Sequence, residues 1–297
     1  MTVFNIGSIN IDHVYQVSHF VRPGETLTSN HYQKILGGKG ANQSIALARA
    51  NASVKHVGAI NQSDQDLVNQ LAQSGVGTAL ISHVTQATGH AIIQVNQEAE
   101  NAIVLFAGAN HAITGTQLQE TFAQAQAGDW VLLQNETNGI DTAISLAKAN
   151  NLQVAFNPAP MDKTLVEQVI EQIDLLIVNE VEAMDLFNVK SVEAAQRQFS
   201  QQHPQLAVII TLGSAGVRYL DKDGVIDVAA FNVQAIDTTA AGDTFIGYCL
   251  AGLMSEQPIA LALRQACAAS ALCVTQNGAS TSIPTLEQVT QFLEQQA

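Results

Sequence analysis

Along this chain, short apolar runs alternate with stretches in which apolar positions return at helical spacing. Residues 3–9 form the first run, closed by Gly7-Ser8 as a buried strand would be. Residues 12–17 and 26–36 have a period of two and many β-forming side chains, with the turn signal Pro23-Gly24 between them, and predict strands. The period changes over 41–51, where Ile45, Ala48 and Ala52 share one side of a predicted helix, and 54–60 returns to a strand. A helix is predicted over 63–73, then a hairpin of 88–95 and 102–106 around 96–100. Beyond Thr114, predicted helices at 116–125, 140–149, 165–172 and 192–200 alternate with predicted strands at 130–134, 154–157, 175–178 and 208–211. A hairpin of 217–220 and 225–228 turns at Asp223-Gly224, and the final sixty residues read as three helices.

Strands separated by helices predict an α/β fold, a doubly wound and mostly parallel central sheet with helices on both faces. The β-rich excursions at about 12–36 and 88–107 interrupt that rhythm and predict a small second β-sheet acting as a lid. The expected organisation is one such α/β domain over residues 1–297, with no repeat and no low-complexity tract.

Composition narrows the function. With 47% hydrophobic and 13% charged residues the chain is too apolar for intrinsic disorder, and no segment reaches the run that a membrane span needs. Lys and Arg number 12 against 26 Asp and Glu, a net charge of −14. That balance argues against a nucleic-acid surface and offers no steering for an anionic ligand. Any phosphate must then be held by local devices: backbone N–H groups, a helix N-terminus, a metal ion or one placed Lys. Met-Thr-Val-Phe-Asn-Ile-Gly at the start has neither the basic region nor the apolar stretch of a secretory signal. Cys249, Cys267 and Cys273 form no CxxC and read as small buried thiols, which suits a reducing cytoplasm.

Two Gly-rich clusters precede predicted helices at opposite ends of the chain: Gly37-Gly38-Lys39-Gly40-Ala41-Asn42 and Thr238-Thr239-Ala240-Ala241-Gly242-Asp243. Small residues let backbone approach a ligand, and free N–H groups at a helix start attract anions. Neither cluster is a Walker A loop, and Gln43 stands where a dinucleotide fingerprint needs its last Gly. Read locally, each is either a tight turn or a cradle for phosphate or hydroxyl.

Asp243 is either a favourable partner for the helix dipole or a base that takes a proton from a substrate hydroxyl while the N–H groups of Ala240, Ala241 and Gly242 meet arriving negative charge. One short segment would then supply both base and anion hole, as phosphoryl transfer to an alcohol requires. Asn179 and Glu182 follow a predicted strand and offer oxygens suited to Mg²⁺ or its waters, or else a helix cap. Thr211, Gly213 and Gly216 also trail a strand, while Asn10, Asp12 and Glu136 follow strand ends as turn caps or site residues. The 8 His residues show no HExxH or paired spacing, and no GxSxG elbow is present.

Gly-Gly-Lys-Gly-Ala-Asn at 37–42, Asn157-Pro-Ala-Pro160, the Asn179 and Glu182 pair, and Asp-Thr-Thr-Ala-Ala-Gly-Asp-Thr-Phe at 237–245 together resemble the ribokinase-like carbohydrate kinase family. The likeness runs from Gly7 to Asp12 near the start through 278–284 near the end. It implies ATP-dependent phosphorylation of D-ribose at the 5-hydroxyl, with Asp243 as base and Ala240, Ala241 and Gly242 as anion hole. Asn10, Asp12, Gly38, Lys39, Asn42 and Glu136 match the family's sugar-contacting positions. The resemblance further implies that Asn179 and Glu182 organise Mg²⁺ and phosphates, and that Thr211, Gly213 and Gly216 line the nucleotide site with Asn179 and Gly242. An activating K⁺ is implied near Asp237, Thr239, Cys273, Gln276, Gly278 and Ser282, as is a homodimer paired through the lid. Ile246 follows Phe245 where the family usually carries Asn.

Two alternatives stand beside this expectation. One is a kinase of the same family acting on deoxyribose, another sugar or a nucleoside. The other is a sugar-binding sensor without turnover, which would need no carboxylate at 243.

Overall fold

The computed structural model describes residues 1–98 and 100–296; Ala99, within the second expected excursion, and Ala297 lie outside the described residues. After β1 (Val3–Ile6) the chain leaves the main sheet for β2 (Asn10–Gln16) and β3 (His31–Gly37), then enters α1 (Lys39–Arg49). Next come β4 (Val54–Asn61), α2 (Gln65–Gln73), β5 (Gly77–Val84), β6 (Gly89–Val95) and β7 (Asn101–Phe106). Helix and strand then alternate through α3 (Gly115–Phe122), β8 (Trp130–Gln134), α4 (Ile140–Ala149), β9 (Gln153–Asn157), α5 (Lys163–Val169) and β10 (Leu175–Asn179). They continue with α6 (Glu180–Phe187), α7 (Val192–Gln202) and β11 (Ala207–Thr211). The hairpin of β12 (Val217–Asp221) and β13 (Gly224–Val228) precedes α8 (Ala241–Met254), α9 (Ile259–Val274) and α10 (Leu286–Gln295).

A 9-stranded sheet runs in the order β13-β12-β11-β10-β9-β8-β1-β4-β5, parallel except for the β12 and β13 extension. Its central strands are apolar on both faces, as helices on both sides require. One core layer joins the sheet to α1, α2, α8, α9 and α10; the other joins it to α3 through α7. Phe4, Phe156, Phe199 and Tyr248 are its largest fully buried side chains, each contributing roughly 1.5–3 kcal/mol through removal from water.

The two excursions pair as a 4-stranded sheet, β3-β2-β6-β7, in which only β2 and β6 are parallel. Asp12, Val14 and Gln16 of β2 face a cavity of about 570 Å³ whose far wall is residues 235–239 and 277–279. His13 stacks on Tyr32 across the opposite face, with His90 at its edge.

Three elements differ from the sequence reading. β5 is an edge strand whose alternating exposure interrupts the apolar run that would announce it. Residues 26–30 lie outside β3, because β2 offers partners only to His31–Gly37. The short α6, expected only as a capping pattern, forms from Glu180 with Asn179 as its cap.

Candidate active site

The winding direction reverses at β1. Its neighbour β4 follows it in this sheet, whereas β8, on its other side, comes only after β4 and β5. In an open α/β sheet the crevice at such a switch point lies beyond the strands' carboxyl ends. Here those ends deliver Ser8 and Glu136, and Ser8 Oγ donates to Glu136 Oε2 at 2.5 Å. Glu136 Oε2 also accepts from the Lys39 N–H at 3.1 Å, at the start of α1. Gly40 and Gly7 are packed so closely that a Cβ on either would strike the other's backbone, which is why α1 can press its first turn onto the end of β1.

Asn10 is buried at the start of β2, where Asn110 donates to its Oδ1 at 2.7 Å and in turn accepts from the Ile9 N–H at 2.9 Å. Asp12 lies over Gly37, where no Cβ fits. Burial, aided by the charge of Glu136, lifts its carboxyl to about 6. Glu136 is likewise raised by burial, against the opposing effect of Lys39. Burial alone would lower Lys39, but the charges of Asp243, Glu136 and Glu182 prevail and raise it. Lys39 is therefore a fixed cation among three acids.

Asp243 is buried in the first turn of α8. Its two oxygens turn away from its own helix: Oδ2 accepts from Asn42 Nδ2 at 3.0 Å and Oδ1 from Gln43 Nε2 at 2.9 Å. Burial raises its pKa, opposed first by Lys39 and then by these two amides. Ala240, at φ 60°, ψ 7°, is a left-handed non-glycine that turns the chain into α8. The Ala241 N–H points back to Thr238 O at 3.2 Å, so Gly242, exposed at the helix start, presents the more open N–H.

A cavity of about 260 Å³ joins Lys39, Asn179, Glu182, Ala240, Ala241, Gly242 and Asp243. It shares Thr211, Thr238, Ala241 and Gly242 with a largely apolar cavity of about 340 Å³ that also touches Gly213, Gly216, Phe231 and Phe245. One hollow is polar and acid-lined, its neighbour apolar and large enough for a planar base. Ile246 is buried and walls the polar hollow. Asn179 and Glu182 form a capping box: Asn179 Oδ1 accepts from the Glu182 N–H and Glu182 Oε2 from the Asn179 N–H, both at 2.9 Å. The cap and a place on the cavity wall thus coexist in one pair.

Asp237 accepts from the N–H groups of Thr239 and Gly278, each at 2.9 Å, and these bonds outweigh burial to hold its carboxyl below the ordinary range. Cys273 Sγ lies 3.1 Å from Ser282 Oγ and points to Thr239 O at 3.7 Å. Gln276 has an exposed side chain and joins this loop through its backbone, N–H to Cys273 O at 3.2 Å. The three thiols are free and buried, and burial pushes Cys249 up to about 12 and Cys267 up to about 11.

Sequence reasoning missed the side chains that hold these groups: Ser8, Asn110, Gln43, Gln134, Asn5 and Asn157. One signal was present, since Asn5 interrupts an otherwise apolar buried strand. A polar residue there must find a partner inside the core.

The chain matches the model of the pfkB family carbohydrate kinases over residues 2–286. It is 41% identical to a ribokinase of Haemophilus influenzae over 302 residues, covering 99% of this chain and 98% of that protein. A deoxyribokinase of Salmonella typhi is 28% identical over 304 residues, covering 99% of both. The structure of Arabidopsis thaliana ribokinase complexed with ribose and ATP aligns with a TM-score of 0.84 at 26% identity, over 99% of this chain and 98% of that one. With both glycine clusters converging on one acid-lined cleft, and with this likeness over its whole length, the chain belongs to the pfkB family of carbohydrate kinases.

Proposed function

We propose that this protein transfers the terminal phosphoryl group of ATP to the 5-hydroxyl of D-ribose. The observation that carries the reading is the buried Asp243 carboxylate, bonded to Asn42 of the first glycine cluster and adjoining Gly242 of the second. The 5-hydroxyl oxygen attacks the γ-phosphorus, the bond from that phosphorus to the bridging oxygen breaks, ADP leaves, and the hydroxyl proton passes to Asp243. The N–H groups at the start of α8 receive the charge of the transferring group, the open N–H of Gly242 foremost, with Ala240 beside it and Ala241 once its N–H leaves the Thr238 carbonyl.

Asn10, Asp12, Gly38, Lys39, Asn42 and Glu136 hold the sugar, each amide or carboxylate engaging hydroxyls. Asn42 Oδ1 supports this, being buried with no partner among the described residues. Thr211, Gly213, Gly216 and Asn179 hold the nucleotide, its base in the apolar cavity. The polar hollow fits a Mg²⁺ that arrives on ATP, because Asn179, Glu182 and Asp243 line it with side-chain oxygens. Asn179 and Glu182 would hold that ion through water, and it would neutralise phosphate charge.

K⁺ is assigned to the loop of Asp237, Thr239, Cys273, Gln276, Gly278 and Ser282, where a carboxylate kept ionised beside bent backbone suits a monovalent cation. The small sheet is the lid over the sugar. A homodimer through it would cover β7, on which Ile103, Val104, Leu105 and Phe106 are all exposed. No described helix is long and apolar enough to cross a membrane; with its three reduced thiols the chain is assigned to the cytoplasm.

A panel of D-ribose, 2-deoxyribose, other sugars and nucleosides with ATP, magnesium and potassium, scored by kcat/KM, tests this reading. A higher kcat/KM for any other acceptor replaces ribose as the substrate. A 2-deoxy sugar leaves a buried acceptor unpaired at a cost of roughly 1–3 kcal/mol, so Asp12 favours ribose over the deoxyribose alternative.

A further inference from the structure

Beneath Asp243 lies a chain of side-chain amides whose direction is fixed from its far ends. Asn5, Gln134 and Asn157 stand on neighbouring strands β1, β8 and β9, on the face that carries α1, with Gln134 directly opposite Asn157. Asn5 Nδ2 donates to the Gly40 carbonyl at 2.8 Å, and a carbonyl can only accept, so Asn5 Oδ1 faces the other way. Gln134 Nε2 donates to that Oδ1 at 2.9 Å and to Gln43 Oε1 at 2.7 Å. On the second branch Asn157 Nδ2 donates to the Ile177 carbonyl at 3.0 Å, which turns Asn157 Oδ1 toward Gln43 Nε2 at 3.2 Å. Both branches therefore require Gln43 to present its NH₂ to Asp243 Oδ1. A flipped amide at Gln43 would set oxygen against both Asn157 Oδ1 and the carboxylate.

The two oxygens of Asp243 are thus unequal. Oδ1 is held by a donor anchored to backbone on two sides. Oδ2 is held by Asn42, whose own Oδ1 has no partner among the described residues and so does not lock it.

We infer that Gln43 is a positioning residue for phosphoryl transfer: backed by Gln134 and Asn157, it clamps Asp243 Oδ1 so that Oδ2 faces the sugar hydroxyl and takes its proton. This rests on the reading of Asp243 as the base. Gln43 itself touches no substrate, and its effect belongs to kcat.

The test is steady-state kinetics with D-ribose and ATP, plus calorimetry of ribose binding, on Gln43→Met, Gln134→Met, the double variant and Asp243→Asn. Methionine keeps the volume of glutamine and removes the amide. Gln43→Met is expected to lower kcat about ten- to a hundredfold with the ribose KM within about threefold, the split of a group acting only in the transition state. Gln134→Met is expected to lower kcat about three- to tenfold, and to cost less than about twofold more once Gln43 is already Met. Should Gln43→Met fail to fold, Gln134→Met carries the same split. Near-normal kcat in both Gln variants beside an inactive Asp243→Asn overturns the clamp and leaves the base in place. Losses that fall on KM, or that multiply in the double variant, also overturn the clamp. Near-normal turnover in Asp243→Asn overturns the base and the clamp together.

Discussion

The Asn42 amide meets Asp243 Oδ2 at 3.0 Å although 201 positions separate the two residues. An acid in the first turn of a helix ordinarily serves its own N-terminus. Asp243 instead gives both oxygens to α1, so the starts of α1 and α8 line one cleft.

Asp243→Asn is expected to reduce kcat about a hundredfold to ten-thousandfold, the contribution of a positioned general base. Ribose affinity, measured by calorimetry, is expected to stay within about threefold, because an amide still fills the site. Unchanged turnover would remove Asp243 from the chemistry.

Asp12 contributes to the pH dependence beside Asp243, whose pKa burial also raises. Burial favours the neutral form of Asp12, so its proton is retained up to about pH 6, well above the ordinary carboxylate range. Ionised, Asp12 offers both oxygens as acceptors to sugar hydroxyls; protonated, one of them carries a donor instead. The kcat/KM for ribose is therefore expected to rise as pH passes upward through about 6, and Asp12→Asn to make that limb shallower, leaving the part that Asp243 carries. A pH profile of the two proteins reads the difference.

Asp12→Asn is also expected to narrow the preference for ribose over 2-deoxyribose about ten- to a hundredfold, since an amide is less costly than a carboxylate to leave unpaired. The ratio of the two kcat/KM values measures it. An unchanged ratio would place the 2-hydroxyl elsewhere.

Turnover is expected to be faster in K⁺ than in Na⁺ at matched ionic strength, and Asp237→Ala to abolish that difference. Asp237 anchors Thr239 and Gly278 together, so its loss opens the loop that leads into Ala240. Equal rates for the unaltered protein in the two salts would reject the cation assignment.

Val104 is the most exposed of the apolar side chains of β7. Val104→Glu is expected to convert a dimer to a monomer in sedimentation velocity, because a charge cannot be buried unpaired in such an interface. A monomeric parent would overturn the assembly.

Much of the architecture could be read from periodicity. Residues 130–134 and 140–149 were expected as β8 and α4, and they form there, because an apolar run between turn signals or a stripe at helical spacing has one buried arrangement. β5 escaped for the opposite reason: at a sheet edge one flank meets water, and its polar positions dilute the signal. The site was half legible. Asp243 and Asn42 declare themselves by sitting at glycine-rich helix starts, whereas Gln43 declared only that a dinucleotide fingerprint was missing.

The sequence alone determined the layered α/β fold and the two glycine-rich helix starts, because both depend on neighbours in the chain: spacing of apolar side chains, small residues before a helix, an acid in its first turn. Only the tertiary structure decided that Asn5, Gln134 and Asn157 stand side by side under Gln43. That convergence depends on which strands pair and in what register, and strand order is set by the packing of whole layers, which no local spacing encodes.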